Sequence, residues 1–357
     1  RFYPLNCEPL SGRNNRPCLL PLPLPLPLPL PTAYCLLSPV PCLLINTSHL
    51  SPHMLFYSYI PCVPSRAVHN AMTGIDDFFA SIRDTGGYTT PAAILPAKPP
   101  RASFLSAWRF YVGGLGKVIS EGMHILRAGD FGTETLGQLS WSLLHSVENM
   151  GASVTFEGFE SMRNLGHQPA VIVANHMSLA ETMLLPAGVC ANGPMIIIAK
   201  RSLTRYPAFG RILEASRPIL VERRNPRRDL MDVMEQGLLR LAEGCSVLIF
   251  PQGTRMAAFD PARFNSLGAK LARRAGVPLI PVACKTDFAR PGRFLRDFGP
   301  IDPARPIRFA AGPRLDSARP QRELQEACVG HILRCLKQWN MPVAEIPAAG
   351  QEHPDHE

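Results

Sequence analysis

The sequence predicts an α/β fold, in which a largely parallel sheet is flanked by helices and preceded by an amphipathic N-terminal helical region. Two observations lead to this prediction. After residue 151, short apolar runs alternate with helical segments, a pattern typical of strand–helix–strand units. The chain also has 357 residues, of which 46% are hydrophobic, and this is enough for a sizeable core.

The N-terminal part of the predicted fold contains an arm and two helices. Residues 72 to 101 are rich in glycine and proline, which predicts a mobile arm. Residues 103 to 127 place apolar side chains at helical spacings, interrupted by Arg109 and Lys117. A second helix is expected from about Thr133 to Asn149. The two helices fit either a membrane-interface role or packing in the core.

Seven strands are expected in the region that follows, each a short apolar run. They are Val154–Phe156, Ala170–Ala174, Met195–Ala199, Pro218–Val221, Ser246–Phe250, Leu279–Val282 and Ile307–Ala310. The clearest helix between them is Leu230–Ala242, whose apolar residues form one stripe. Because α/β sheets form their sites beyond the carboxyl ends of the strands, the residues that follow each strand are the candidates for function.

Residues 1 to 71 differ from the rest of the chain. They hold only five charged side chains, and the run from Pro17 to Ser65 has none. Proline occupies every second position from Pro21 to Pro31. A membrane-spanning helix is excluded there because each proline removes a backbone donor. We expect this low-complexity extension to be disordered or to lie outside the native product, which would then begin at Met72.

Charge and cysteine content restrict the partners and the compartment. The extension contributes +3 of the net charge of +9, so residues 72 to 357 carry +6. This charge favours acidic partners such as phosphate groups, anionic lipid or an acidic carrier. The sequence contains no nucleic-acid-binding motif. The five cysteines after residue 71 show no C-x-x-C spacing, and we expect buried thiols in a reducing compartment.

The first candidate site follows the strand predicted at 170 to 174. Asn175 and His176 come directly after it, and Glu181 follows the histidine by five residues. One helical turn would bring the imidazole and the carboxylate together. A neutral imidazole can act as a general base toward an alcohol, and a carboxylate on its other nitrogen stabilises the imidazolium that forms. Taken alone, the pair also fits a structural role.

The second candidate site follows two other predicted strands. The turn after the strand at 246 to 250 contains Gln252, Gly253, Thr254 and Arg255. It offers a backbone donor, a hydroxyl and a guanidinium, which together can hold a phosphate. Arg223 comes soon after the strand at 218 to 221. Each arginine alone also fits a solvated surface charge.

Four sequence blocks resemble, in order and spacing, those of the glycerolipid acyltransferase family. They are N-H-M-S-L-A-E at 175 to 181, P-I-L-V-E-R at 218 to 223, F-P-Q-G-T-R at 250 to 255 and V-P-L-I-P-V at 277 to 282. The resemblance implies the fold of this family, with an acyltransferase domain at 151 to 340 and a tail at 341 to 357. It also implies transfer of an acyl chain from acyl-CoA or acyl carrier protein to the free hydroxyl of 1-acylglycerol 3-phosphate, giving phosphatidate.

The resemblance also implies a role for each candidate residue. His176 would be the general base and Glu181 would orient it. The residues that would hold the acceptor phosphate are Arg223, Gly253, Thr254 and Arg255. Asn175 and Gln252 would support the loop and the turn. No metal or further cofactor is implied, because the acyl thioester is a co-substrate.

Two residues depart from the family pattern. Glu181 stands where the family has Asp, which keeps the charge and changes the reach. Gln252 stands where the family has Glu, so a carboxylate is replaced by an amide that can still form hydrogen bonds. These departures leave open another acceptor, such as glycerol 3-phosphate or a lyso-aminolipid, and a catalytically silent lipid-binding relative. We favour an active variant, because the histidine, both arginines and the glycine are retained.

The implied substrates favour peripheral attachment at the cytoplasmic face of a membrane, because lysophospholipids and acyl chains partition into the bilayer. We therefore expect Trp108, Phe110 and Tyr111 to dock at the membrane interface. Arg109 and Lys117 would lie near anionic headgroups.

Overall fold

The computed structural model describes residues 72–98, 100–292 and 298–344. The expectations for residues 1 to 71 lie outside the described residues. The α-helices are α1 (Met72–Thr85), α2 (Phe104–Trp108), α3 (Gly116–Ala128), α4 (Thr135–Glu148), α5 (Ala180–Cys190), α6 (Phe209–Ala215), α7 (Pro226–Ala242), α8 (Leu267–Ala275) and α9 (Gln321–Gln338). The strands are β1 (Tyr88–Thr89), β2 (Val154–Glu157), β3 (Val171–Ala174), β4 (Met195–Lys200), β5 (Ile219–Val221), β6 (Ser246–Ile249), β7 (Leu279–Lys285) and β8 (Ile307–Ala311).

The strands form one sheet in the order β1-β2-β8-β7-β3-β6-β4-β5. Five of the seven pairings are parallel, and the two antiparallel ones join β1 to β2 and β7 to β8. The prediction of a largely parallel sheet flanked by helices is confirmed. All seven predicted strands are present, and the two-residue β1 is an addition that is too short to show a period of two.

The central strands are buried on both faces because helices cover the sheet from both sides. Along β3, Ile172 and Ala174 belong to one core cluster, whereas Val171 and Val173 belong to the other. Such strands read as continuous apolar runs rather than as alternating ones. On the second face, α8 lies so close to β3 that a Cβ on Gly268 would come within 2.4 Å of Val173.

The expectation of a mobile arm over residues 72 to 101 is wrong for α1 and β1. Phe78 and Ile82 of α1 are buried, and the Phe78 ring lies 4.7 Å from that of Tyr88 and 5.6 Å from that of Phe156. An aromatic cluster therefore holds this segment against the sheet. The prediction rested on the glycines and prolines of residues 72 to 101 and overlooked the apolar side chains that α1 places against the sheet.

The predicted helix at 103 to 127 is present as one continuous helical run. It consists of α2, a π-helical turn at Arg109–Leu115 and α3. The expected docking of Phe110 at a membrane is wrong, because this side chain is buried and its ring lies 5.6 Å from that of Phe288. Within the described ranges, no helix combines the length and the apolar character needed to cross a membrane.

The segment that follows α9, as far as residue 344, remains attached to the domain. The N–H of Phe259 donates to the carbonyl of Pro342, and the N–H of Ala344 donates to the carbonyl of Phe259. The first residues of the predicted tail at 341 to 357 thus pack against the loop that follows β6, and those from 345 onward lie outside the described residues.

Candidate active site

The carboxyl ends of the central parallel strands bring the candidate residues to one edge of the sheet. β3 lies between β6 and β7, with Val173 aligned to Ile249 on one side and to Pro281 on the other. β5 lies on the far side of β4 from β6. Parallel strands end at the same edge, so the segments that follow β3, β5, β6 and β7 converge there.

His176 and Glu181 form the predicted pair. Nδ1 of His176 lies 2.7 Å from Oε1 of Glu181. The Glu181 side chain is fully buried, whereas that of His176 is 13% exposed. Since the carboxylate accepts the proton on Nδ1, the neutral imidazole carries its lone pair on Nε2. This tautomer is the one that a general base needs.

The Glu181 carboxylate is surrounded by donors. Oε1 also accepts from the backbone N–H groups of Met177 at 2.6 Å and Ser178 at 2.7 Å. Oε2 accepts from the hydroxyls of Ser178, at 2.8 Å, and Thr286. Burial by itself raises the pKa of Glu181, but the bond and charge of His176, with the Thr286 and Ser178 bonds, outweigh burial and lower it. Glu181 is therefore held as a carboxylate.

Gln252 holds the backbone of the histidine. Its Oε1 accepts the backbone N–H of His176 at 2.7 Å, and the N–H of Met256 donates to the His176 carbonyl at 3.0 Å. The Phe250 ring stacks on the imidazole, with centroids 4.6 Å apart. The segment at 250 to 256 thus clamps the histidine. The bond that the His176 N–H donates to Gln252 needs only an oxygen acceptor, which amide and carboxylate both supply.

Asn175 connects β3 to β7. Its Nδ2 donates to the carbonyl of Cys284 at 2.8 Å, and the N–H of Cys284 donates to its Oδ1 at 2.7 Å. Both partners are buried. Asn175 therefore fixes the end of β3 from which His176 projects.

The two arginines of the predicted phosphate site carry charges that affect one another. Partial burial and the charge of Arg255 lower the pKa of Arg223, while Asp229 opposes this effect. Arg223 has a left-handed backbone, with φ of 58°, and its N–H donates to the Asp229 carboxylate at 2.8 Å. An aspartate in the first turn of α7 thus orders the arginine-bearing loop. Two cations brought together in this way are suited to an anion with two charges.

The turn that carries the remaining phosphate-site residues is exposed. Gly253 has φ of 69°, and its N–H donates to the carbonyl of Phe250 at 3.2 Å. A Cβ at this position would meet no atom within 4 Å. Glycine is therefore favoured here by the left-handed backbone conformation and not by a lack of space. Gly253 and Thr254 are exposed and Arg255 is half-buried.

Sequence reasoning missed three residues of the site. Ser178 lies within the block at 175 to 181, where its hydroxyl could have been recognised as a partner of Glu181. Phe250 was assigned to the end of a strand and to the block at 250 to 255, without a role of its own. Thr286 gave no local signal, because it lies 105 residues from Glu181 in the chain.

The five cysteines of the described residues are free, and burial raises the pKa of the Cys284 thiol well above its usual value.

Comparisons with known proteins find similarity to acyltransferases. The Acyltransferase family model matches residues 153–285. A 1-acyl-sn-glycerol-3-phosphate acyltransferase from Pseudomonas aeruginosa is 34% identical over 132 residues, which are 37% of this chain and 50% of that protein. A lysophosphatidylcholine acyltransferase from Drosophila melanogaster is 30% identical over 125 residues, which are 33% of this chain and 21% of that protein.

A solved structure shares the fold. The 1-acyl-sn-glycerophosphate acyltransferase from Thermotoga maritima aligns with a TM-score of 0.53 and 18% identity over 68% of this chain and 97% of that one. This likeness shows the fold alone. The chain spans half or less of the length of the first curated relatives that it matches.

Proposed function

Because residues 153–285 belong to the glycerolipid acyltransferase family, we propose that this protein transfers an acyl chain from a thioester to the free hydroxyl of 1-acylglycerol 3-phosphate, giving phosphatidate. The observation that carries this proposal is the buried His176–Glu181 pair, with Nδ1 and Oε1 2.7 Å apart, at the sheet edge that also receives Arg223 and Arg255. A general base and an anion site at one edge suit an acceptor that has both a hydroxyl and a phosphate.

The chemistry follows from the tautomer. Nε2 of His176 accepts the proton of the acceptor hydroxyl, and the oxygen attacks the thioester carbonyl carbon. The tetrahedral intermediate collapses with cleavage of the carbon–sulfur bond, and the proton on Nε2 passes to the departing thiolate. Glu181 stabilises the imidazolium between these two proton transfers. The co-substrate is acyl-CoA or acyl carrier protein.

The two arginines supply position rather than chemistry. Phosphate oxygens accept bidentate hydrogen bonds from guanidinium groups, and a phosphate held between Arg223 and Arg255 fixes the rest of the acceptor relative to the histidine. Positioning of this kind removes the entropy cost of bringing two reactants together. Thr254 adds a hydroxyl beside Arg255, and Gly253, whose N–H donates to the carbonyl of Phe250, shapes the turn.

A second acceptor class is supported by one comparison. The similarity to a lysophosphatidylcholine acyltransferase at 30% identity makes a lysophospholipid with a larger headgroup the runner-up. The exposure of the turn at Gly253 and Thr254 is compatible with such a headgroup, because no described side chain fills the space beside Gly253.

We also propose peripheral attachment to a membrane through the helical run that begins with α2 and ends with α3. Phe104 and Trp108 are 86% and 51% exposed, and with Val112 they recur every four residues, which places them on one helix face. Arg109 is exposed beside them. An apolar face with basic neighbours suits an anionic bilayer surface. Flotation with anionic liposomes tests this proposal: Trp108→Ser should reduce recovery, and Leu239→Ser, an exposed apolar residue of α7, is the control.

Acyl transfer by the purified protein tests the function. Acyl-CoA and acyl carrier protein are offered as donors, with lysophosphatidate, glycerol 3-phosphate, lysophosphatidylcholine and a lyso-aminolipid as acceptors. Phosphatidate as the main product supports the proposal. Preference for another acceptor would replace the acceptor and keep the chemistry, whereas lipid binding without any product would favour a silent relative.

A further inference from the structure

Resting on the proposed function, we propose that the Thr286 hydroxyl is a positioning group of the reaction, which sets the Glu181 carboxylate against His176 and thereby accommodates glutamate where the family has aspartate.

The two oxygens of Glu181 have different partners. Oε1 faces His176 and the N–H groups of Met177 and Ser178, which belong to the same loop as the histidine. Oε2 accepts only hydroxyl protons in the described structure, from Ser178 and Thr286. Rotation about the terminal bond of a glutamate side chain is soft. The partners of Oε2 therefore help to determine the angle at which Oε1 meets the imidazole.

Thr286 is the partner of Glu181 that comes from outside the loop at 176 to 181. It directly follows β7, the strand that Asn175 fastens to β3 through Cys284. Thr286 is fully buried, so its hydroxyl has no access to solvent and is committed to the protein. Its oxygen also lies 3.0 Å from Oγ of Ser178. Thr286 therefore holds the carboxylate relative to the end of β7, which lies outside the loop that carries His176.

The hydroxyl also compensates for the extra methylene of Glu181. A glutamate has one more rotatable bond than an aspartate, so it loses more rotamer freedom when it is fixed. Its carboxylate must be held at two oxygens to present one of them at 2.7 Å from Nδ1. A charge-assisted bond from a buried hydroxyl supplies this second attachment.

The test is a double-mutant cycle in the full chain. Thr286→Val keeps the shape and removes the hydroxyl, and we expect kcat to fall about tenfold, the equivalent of about 1.4 kcal/mol, with the acceptor KM unchanged. Thr286→Ser should restore most of the rate. In a Glu181→Ala background, Thr286→Val should cost less than twofold, because no carboxylate is left for the hydroxyl to position. If Thr286→Val does not fold, Ser178→Ala serves as the second variant, because it removes the other hydroxyl that donates to Oε2 of Glu181.

Thr90 offers a matched control. Its buried hydroxyl donates to the buried Glu148 carboxylate at 2.7 Å beside the start of β2, a strand that β8 separates from β7. The hydrogen bonds of this side chain join it to Glu148 and Val154 rather than to residues of the site. Thr90→Val should lower the melting temperature and leave kcat unchanged. The inference is overturned if Thr286→Val leaves kcat unchanged, if serine fails to restore the rate, or if the loss is equally large without the Glu181 charge. An inactive wild-type protein would instead reject the proposed function.

Discussion

Replacement of Glu181 by glutamine removes the charge of the dyad while keeping its shape. In Glu181→Gln the amide oxygen can still accept from Nδ1 of His176, so the tautomer is retained. The amide NH₂ then faces the hydroxyls of Ser178 and Thr286, which can rotate to accept. The variant should fold, and its defect should lie in stabilising the imidazolium.

The size of the defect follows from burial. Hydrogen bonds to charged groups are worth about 1.5–3 kcal/mol, and the upper part of that range applies because Glu181 is fully buried beside His176. A loss of about 2.7 kcal/mol corresponds to a fall in kcat of about 100-fold. The acceptor KM should change little, because the phosphate site is untouched.

The assay follows thiol release from acyl-CoA at saturating acceptor. Glu148→Gln is the matched control, because Glu148 is the other buried glutamate among the described residues and accepts hydrogen bonds from Tyr88 and Thr90 rather than from residues of the site. We expect it to retain wild-type kcat. An unchanged rate in Glu181→Gln, or an equal loss in Glu148→Gln, would refute the role of the charge.

The same variant has a signature in stability. The pKa of Glu181 is lowered in the folded protein, so its ionised form stabilises the fold above the unfolded value of about 4.3. This contribution is lost as the pH falls through the folded pKa. The free energy of unfolding should therefore fall less steeply with acid in Glu181→Gln than in the wild type, which urea titrations below about pH 4.3 can measure.

Three further predictions concern the surrounding residues. Arg255→Ala should raise the acceptor KM about tenfold or more and leave the donor KM unchanged, and steady-state kinetics in which each substrate is varied would contradict this if only the donor KM moved. Gln252→Glu should stay within threefold of the wild-type kcat, because either side chain can accept the His176 N–H, whereas Gln252→Leu should lose at least tenfold. Asn175→Ala should lower the free energy of unfolding by about 2–4 kcal/mol, since the N–H and the carbonyl of Cys284 lose their partner. An unchanged urea midpoint would contradict the role of Asn175 in joining β3 to β7.

The sheet was predictable from the sequence because its strands are local apolar runs. Each buried strand lies between polar or turn-forming residues, and the helices between them carry apolar stripes. The order of the strands follows from pairings over long sequence distances, such as β3 with β7, and no local pattern encodes it. β1 escaped prediction because two residues cannot show alternation.

The candidate site was predictable where its residues lie close in the chain. His176 and Glu181 are five residues apart, so a single helical turn was enough to pair them. Thr286 and Cys284 meet the same loop from more than 100 residues away, and only the fold brings them there. Phe110 was assigned to a membrane surface because helical spacing shows which residues share a face and does not show what covers that face.

The role of His176 as the base is tested most directly by the acyl-transfer rate of His176→Ala in the full chain, beside His167→Ala, an exposed histidine in the loop before β3. We expect the wild type and His167→Ala to make phosphatidate. The rate of His176→Ala should be at least 100-fold lower, with an unchanged circular dichroism spectrum and melting temperature. A His176→Ala protein that still makes phosphatidate at the wild-type rate would show that this imidazole is not the base.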